Sequence, residues 1–205
     1  FNNFNVEQVP NDIILIDLIH RAVKRIFECD GKIDAVAPTV KIINLSIGDE
    51  KRPFINTMSP LARLLDWLSY KYNVLFIISA GNQDGRKIDI GLPFDDFKKL
   101  SLSERSCHIL KKIKENIRNM RILSPAESIN NLCIGALFAD FSSIIEDICT
   151  KGTDRRILPI ENMLPSPISS IGLGYNRAIK PDIFYYGGRK FIMDAMNNYN
   201  LCWVD

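Results

Sequence analysis

Val74-Leu75-Phe76-Ile77-Ile78-Ser79-Ala80-Gly81-Asn82 is an apolar run that stops at small residues and then an amide. Val74 through Ile78 are mostly β-branched or aromatic, which predicts a strand buried on both faces. Ser79, Ala80 and Gly81 let a backbone approach another group closely, and the Asn82 amide can donate a hydrogen bond to an oxyanion. Upstream, Lys41-Ile42-Ile43-Asn44-Leu45-Ser46-Ile47-Gly48 repeats the pattern, an apolar strand over Val40 to Ser46 ending in small and polar residues. Between them Ser59-Pro60 supplies an N-cap and a first-turn proline, and Leu61, Leu64, Leu65, Leu68 and Tyr72 form a helical stripe. Strand, helix and strand predict a parallel pair with a right-handed crossover. The class is α/β with a mostly parallel sheet, and ligands in such sheets bind beyond the carboxyl ends of the strands. Ser46-Ile47-Gly48 and Ser79-Ala80-Gly81-Asn82 stand at those ends.

The rest of the chain extends this unit. At 205 residues one domain is expected, with length enough for a core. A helix is expected after Pro10, capped by Asn11 or Asp12, with Leu15, Leu18, Ile19, Ala22, Val23, Ile26 and Phe27 on one face and Gly31 as its stop. Ser101 or Ser103 is placed to cap another, with Ile109, Leu110, Ile113, Ile117 and Met120 along one side. Leu132 to Ala136 reads as a strand. Residues 137–165 give no clear pattern.

Bulk properties exclude several classes. The net charge of +2, from 26 basic and 24 acidic groups, gives no reason to expect nucleic acid or a membrane surface as partner. No apolar run approaches the roughly 18 residues of a membrane span. Cys29, Cys107, Cys133, Cys149 and Cys202 are odd in number and show no C-x-x-C spacing. That argues against a disulfide framework or a zinc site and favours a reducing cytoplasm over secretion. Asp84, Asp89, Asp95 and Asp96 offer oxygens for calcium but match no calcium loop, so a solvated loop is expected and no cofactor is implied. His20 falls on an amphipathic helix and is read as packing or surface.

Four segments in order then resemble one family. They are Ser46-Ile47-Gly48; Ala80-Gly81-Asn82; Ser124-Pro125-Ala126 followed by Leu132-Cys133-Ile134-Gly135-Ala136; and Ser169-Ser170 followed by Lys180-Pro181-Asp182-Ile183 and Gly187-Gly188. Together they resemble the subtilisin-like serine peptidases, the subtilases, although Ile168 stands for the usual Phe and Tyr185-Tyr186 for Ala-Pro. The resemblance covers about residues 13–82 and 124–188. It implies a three-layer subtilisin-like fold, with residues 1–205 a partial catalytic domain and a helical insertion at about 83–123. It implies that Asn82 is the catalytic oxyanion donor, that Ser46, Ile47, Gly48 and Ser79, Ala80, Gly81 wall the substrate pocket, and that the partner is a polypeptide substrate.

The family's triad runs Asp, His, Ser along the chain. Neither His20 nor His108 is followed by Gly-Thr, and Gly152-Thr153 is followed by Asp154 rather than Ser. Asp17, Asp34 and Asp182 lack the D-[ST]-G context. The chain is therefore read as a piece of a subtilase domain between the triad His and the triad Ser, inactive alone, from a parent serine endopeptidase. The alternative is a degenerate, non-catalytic peptide-binding or scaffold module. Absence of the Asp-bearing strand predicts a bare sheet edge, covered by dimerisation or by Phe1–Pro10 or Phe191–Asp205.

Overall fold

A computed structural model of the chain describes residues 12–82, 88–141, 155–194 and 202–204. In chain order the elements are α1 (Leu15–Phe27), β1 (Ile42–Leu45), β2 (Asp49–Pro53), α2 (Pro60–Tyr72), β3 (Leu75–Ser79), β4 (Ile88–Asp89), α3 (Phe94–Lys99) and α4 (Leu102–Glu115). They continue with β5 (Leu123–Ser124), β6 (Leu132–Phe138), β7 (Arg155–Ile157), β8 (Leu164–Pro165), β9 (Gly172–Leu173), β10 (Ile179–Lys180), β11 (Ile183–Tyr186), β12 (Phe191–Asp194) and β13 (Cys202–Val204). The fold is α/β, and its central sheet runs β1-β3-β6-β11, all parallel, with β8 added antiparallel to β6.

Local chemistry explains the first unit. The Ser59 hydroxyl accepts the Ala62 N–H at 3.1 Å, and Pro60 opens α2 where its missing N–H costs nothing. Leu61, Leu65 and Leu68 are buried against Phe76 and Ile78 of β3. Asn73 ends the helix in the left-handed region, φ 50°. The α1 stripe packs on the same core through Ile16, Ile19 and Val23, and Phe27 stacks on Tyr72 with ring centroids 4.7 Å apart. Its start differs from expectation. The helix begins at Leu15, Ile14 holds the cap position without a side-chain bond, and Asp12 lies outside it. Asn11 falls outside the described residues. Leu18 and Ala22 face solvent.

Side chains take over where the parallel ladder has not yet begun. Phe76 N–H donates to Asn131 Oδ1 at 3.0 Å, just before β6 reaches β3. Cys133 N–H donates to Asp182 Oδ2 at 2.7 Å, just before β11 reaches β6. The same oxygen accepts from the buried Lys180 ammonium at 2.6 Å. Asp66 on α2 holds the connection into β6 by accepting the Ile129 and Asn130 amides at 2.9 and 2.8 Å and the Ser128 hydroxyl at 2.6 Å.

A second core lies beside the first. Ile88, Ile90, Phe97, Ile109, Ile113 and Met120 bury against Phe138, Leu158, Ile160 and Ile192. Antiparallel strands β4-β13-β12-β7 belong to this side. Ser101 rather than Ser103 caps α4, with a full capping box to Glu104. The helix ends at Glu115, so the expected stripe breaks there: Ile109 and Ile113 are buried, and Ile117 in the following turn is exposed. Residues 137–165, featureless as sequence, supply β7, β8 and the buried Leu158 and Ile160.

Among the described residues, the C-terminal strands do not pair with the central sheet. Strands β12 and β13 pair with each other and with β7 and β4, while Phe1–Pro10 lies outside the described residues. Among the described residues no strand pairs with the outer edge of β1, where Ile42 is 59% exposed. No described helix is long and apolar enough to cross a membrane.

Candidate substrate cleft

The carboxyl ends of the four parallel strands open into a cleft of about 250 Å³. Ser46 follows β1, and its hydroxyl donates to Asn44 Oδ1 at 3.2 Å. Ser79 closes β3, and its Oγ accepts the Gly81 N–H at 3.1 Å. Gly81 adopts φ +101°, a backbone shape that side chains rarely take. Its carbonyl accepts the Ser170 N–H at 3.0 Å. Asn82 next forms an isolated antiparallel bridge with Ser169 and is exposed to the cleft. Ser169 is itself fixed, because its buried hydroxyl accepts the Ala136 N–H at 3.0 Å.

Of the seven residues singled out in the sequence, Ser46, Ser79, Gly81 and Asn82 therefore line one cleft. Ala80 does not: it is buried, its N–H donating to Ile134 and its carbonyl accepting from Leu123. Ile47 and Gly48 line a separate cavity of about 460 Å³ beside Ile14, Leu15 and Leu61. Sequence reasoning missed Asn44, Tyr185 and Tyr186 in the cleft. Asn44 was findable, since it lies two residues before Ser46 and so on the same strand face. The tyrosine pair, packed edge to face at 5.3 Å, was noted only as a departure from the family pattern.

The lining holds no carboxylate and no imidazole among the described residues. His20 packs edge-on against Trp67 at 5.7 Å, and His108 Nε2 lies 2.7 Å from the Ile90 carbonyl oxygen. No described group of three His, Cys, Asp or Glu side chains is placed to hold a metal ion. Asp89 accepts the Gly91 amide at 2.7 Å and Asp96 pairs with Lys99 at 2.7 Å, whereas Asp84 lies outside the described residues. Burial pushes the Cys133 thiol up to about 12, consistent with a small apolar core residue rather than a nucleophile. Among the described residues, the cleft offers polar donors and close backbone and no general base.

The subtilase family model matches residues 15–203. The chain belongs to the subtilase family. That places a serine-peptidase-like function at the level of the family, and the mostly parallel central sheet is consistent with a subtilisin-like fold. The chain is also 30% identical over 153 residues to the uncharacterized protein y4bN of Sinorhizobium fredii. The match covers 72% of this chain and 31% of that protein, so this subtilase chain spans about a third of the relative's length. No solved structure matches the chain.

Proposed function

We propose that the chain forms the cleft-bearing part of a serine endopeptidase that cleaves polypeptides by acyl transfer. The carrying observation is the meeting of Ser46, Ser79, Gly81 and Asn82 on one cleft beyond the parallel strands. In this reading the exposed Asn82 amide donates to the oxyanion as it develops, the step at which such a donor contributes most. Ser46 at the exit of β1, with Ser79 and Gly81 at the exit of β3, holds an extended peptide, partly by backbone pairing. The triad Asp, His and Ser come from elsewhere in a longer protein. The 205-residue chain alone then lacks a nucleophile and base, and does not turn over peptides.

Labelling of the intact protein with a fluorophosphonate tests this. Labelling abolished by prior treatment with a second serine-directed inhibitor is expected. A folded sample that takes no label would instead mark a non-catalytic module using the same cleft to bind peptide.

A further inference from the structure

A cavity of about 500 Å³ is lined by the segment that joins β2 to α2. Glu127 lines it too and is itself only 1% exposed. One of its carboxylate oxygens is engaged, since Oε1 accepts the Ser59 N–H at 2.9 Å. The other, Oε2, is buried and has no hydrogen-bond partner among the described residues. Ser59 and Ser124 share the cavity but bond to each other, the Ser124 hydroxyl donating to Ser59 Oγ at 2.6 Å. Folded proteins seldom leave a buried carboxylate oxygen without a donor, because its lost hydration is then not recovered.

Two cations stand on the same cavity. Lys51 and Arg52 of β2 line it, and the Arg52 pair with Asp49, at 3.6 Å, is solvent-exposed and weak. Phe54 and Met58, both buried, add an apolar wall. These groups narrow the ligand. A simple anion would meet the Glu127 carboxylate, and a metal ion would meet Lys51 and Arg52. A molecule that carries both charges on an apolar body suits all of them. We propose that this cavity binds a free α-amino acid with an apolar side chain. Its ammonium donates to Glu127 Oε2, its carboxylate faces Lys51 and Arg52, and its side chain lies against Phe54 and Met58. The cavity falls within the roughly 300–1,000 Å³ of small-molecule sites. Among the described residues its lining shares none with the cleft, so the site does not depend on the peptidase reading.

Titration calorimetry of the intact protein with L-leucine, N-acetyl-L-leucine and L-leucinamide tests this. L-Leucine is expected to bind. Acetylation removes the ammonium and amidation the carboxylate, and each should weaken binding about tenfold or more, the scale of one charge-assisted hydrogen bond. Glu127→Gln should weaken L-leucine by a similar factor and change N-acetyl-L-leucine little. Lys51→Ala combined with Arg52→Ala should weaken L-leucine and spare L-leucinamide. That exposed pair keeps the test decisive if Glu127→Gln, which alters the bond to Ser59, fails to fold. Asn82→Ala should leave L-leucine binding unchanged. No binding of L-leucine by the folded protein overturns the assignment, as does binding that the Lys51 and Arg52 substitutions leave intact or that Asn82→Ala abolishes. None of these results bears on the peptidase reading, which the fluorophosphonate label decides separately.

Discussion

The core beneath the cleft and the core under α4 are assembled from different lengths of chain. The first draws most of its buried residues, Phe54 through Ala80, from one continuous strand–helix–strand segment. The second joins Ile88 through Met120 to Phe138, Leu158, Ile160 and Ile192, and it completes only when distant pieces meet. Local contacts of the first kind impose a short-range period on the sequence, and the strand exits that shape the cleft follow from it. In the second core the α4 stripe has a period to read, whereas the distant contacts of Phe138, Leu158, Ile160 and Ile192 leave none. The cleft is therefore expected to tolerate damage to the second core, and substitutions can break or sharpen that expectation.

The largest effect is expected from Phe97→Ala. Phe97 is completely buried in the second core, and truncation of a buried aromatic costs about 3–5 kcal/mol. Chemical denaturation should register that loss, while kcat of the intact protein stays within about twofold if the two cores are energetically separate. A parallel collapse of kcat would break the distinction. Asn82→Ala should do the opposite. On the scale taken from subtilisin itself, losing such a donor lowers kcat by about 10²–10³. KM and the denaturation midpoint should scarcely move, because Asn82 is exposed. An unchanged kcat would take Asn82 out of the chemistry.

Ser101→Ala is a smaller probe of the second core. It removes the half of the α4 capping box that the Ser101 hydroxyl supplies, leaves the Ser101 N–H donating to Glu104, and should cost about 1 kcal/mol by denaturation. A loss too small to measure would show that tertiary packing alone holds the helix. The smallest effect concerns Cys133 in the first core. Its thiol is raised from 9.0 to about 12 in the folded chain, so folding favours the protonated form. The associated stability is complete below the unfolded pKa of 9.0 and is lost as pH rises toward about 12. Near pH 8, iodoacetamide should modify the exposed Cys29 and Cys107 and spare Cys133. Rapid modification of Cys133 without unfolding would show that the first core opens locally.

What was legible follows the same division. The strand over Leu75–Ser79, Ser59-Pro60 and the Leu61–Tyr72 stripe were legible because propensity, capping and burial all act within a few residues of each other, although the strand expected to be buried on both faces buries Phe76 and Ile78 and leaves Leu75 exposed. The start of α1 was not, because an uncapped Ile14 opens the helix and tertiary packing stands in for a capping side chain. Ile117 was placed on the buried stripe of α4, yet the helix ends at Glu115 and the register is lost in the turn. Ile47 and Gly48 were grouped with Ser46, but the chain bends at the strand exit and turns them toward the cavity beside α1. Leu123 carried no signal of its own. It packs against Gly48 and Gly81, distant in sequence, and only a folded chain brings the three together.

The amino-terminal edge of the central sheet has a consequence for motion. Asn131 and Asp182 each offer a side-chain oxygen to a main-chain donor, of Phe76 and Cys133 respectively, one step ahead of the first paired residues. Strand ends ordinarily exchange their amide hydrogens with solvent first, as fraying exposes them. Here that edge is latched, and the Phe76 and Cys133 amides should exchange as slowly as those in mid-sheet. Breathing of the sheet is thereby directed to its other end, where the strands meet the cleft and a bound peptide would be the element that quiets it.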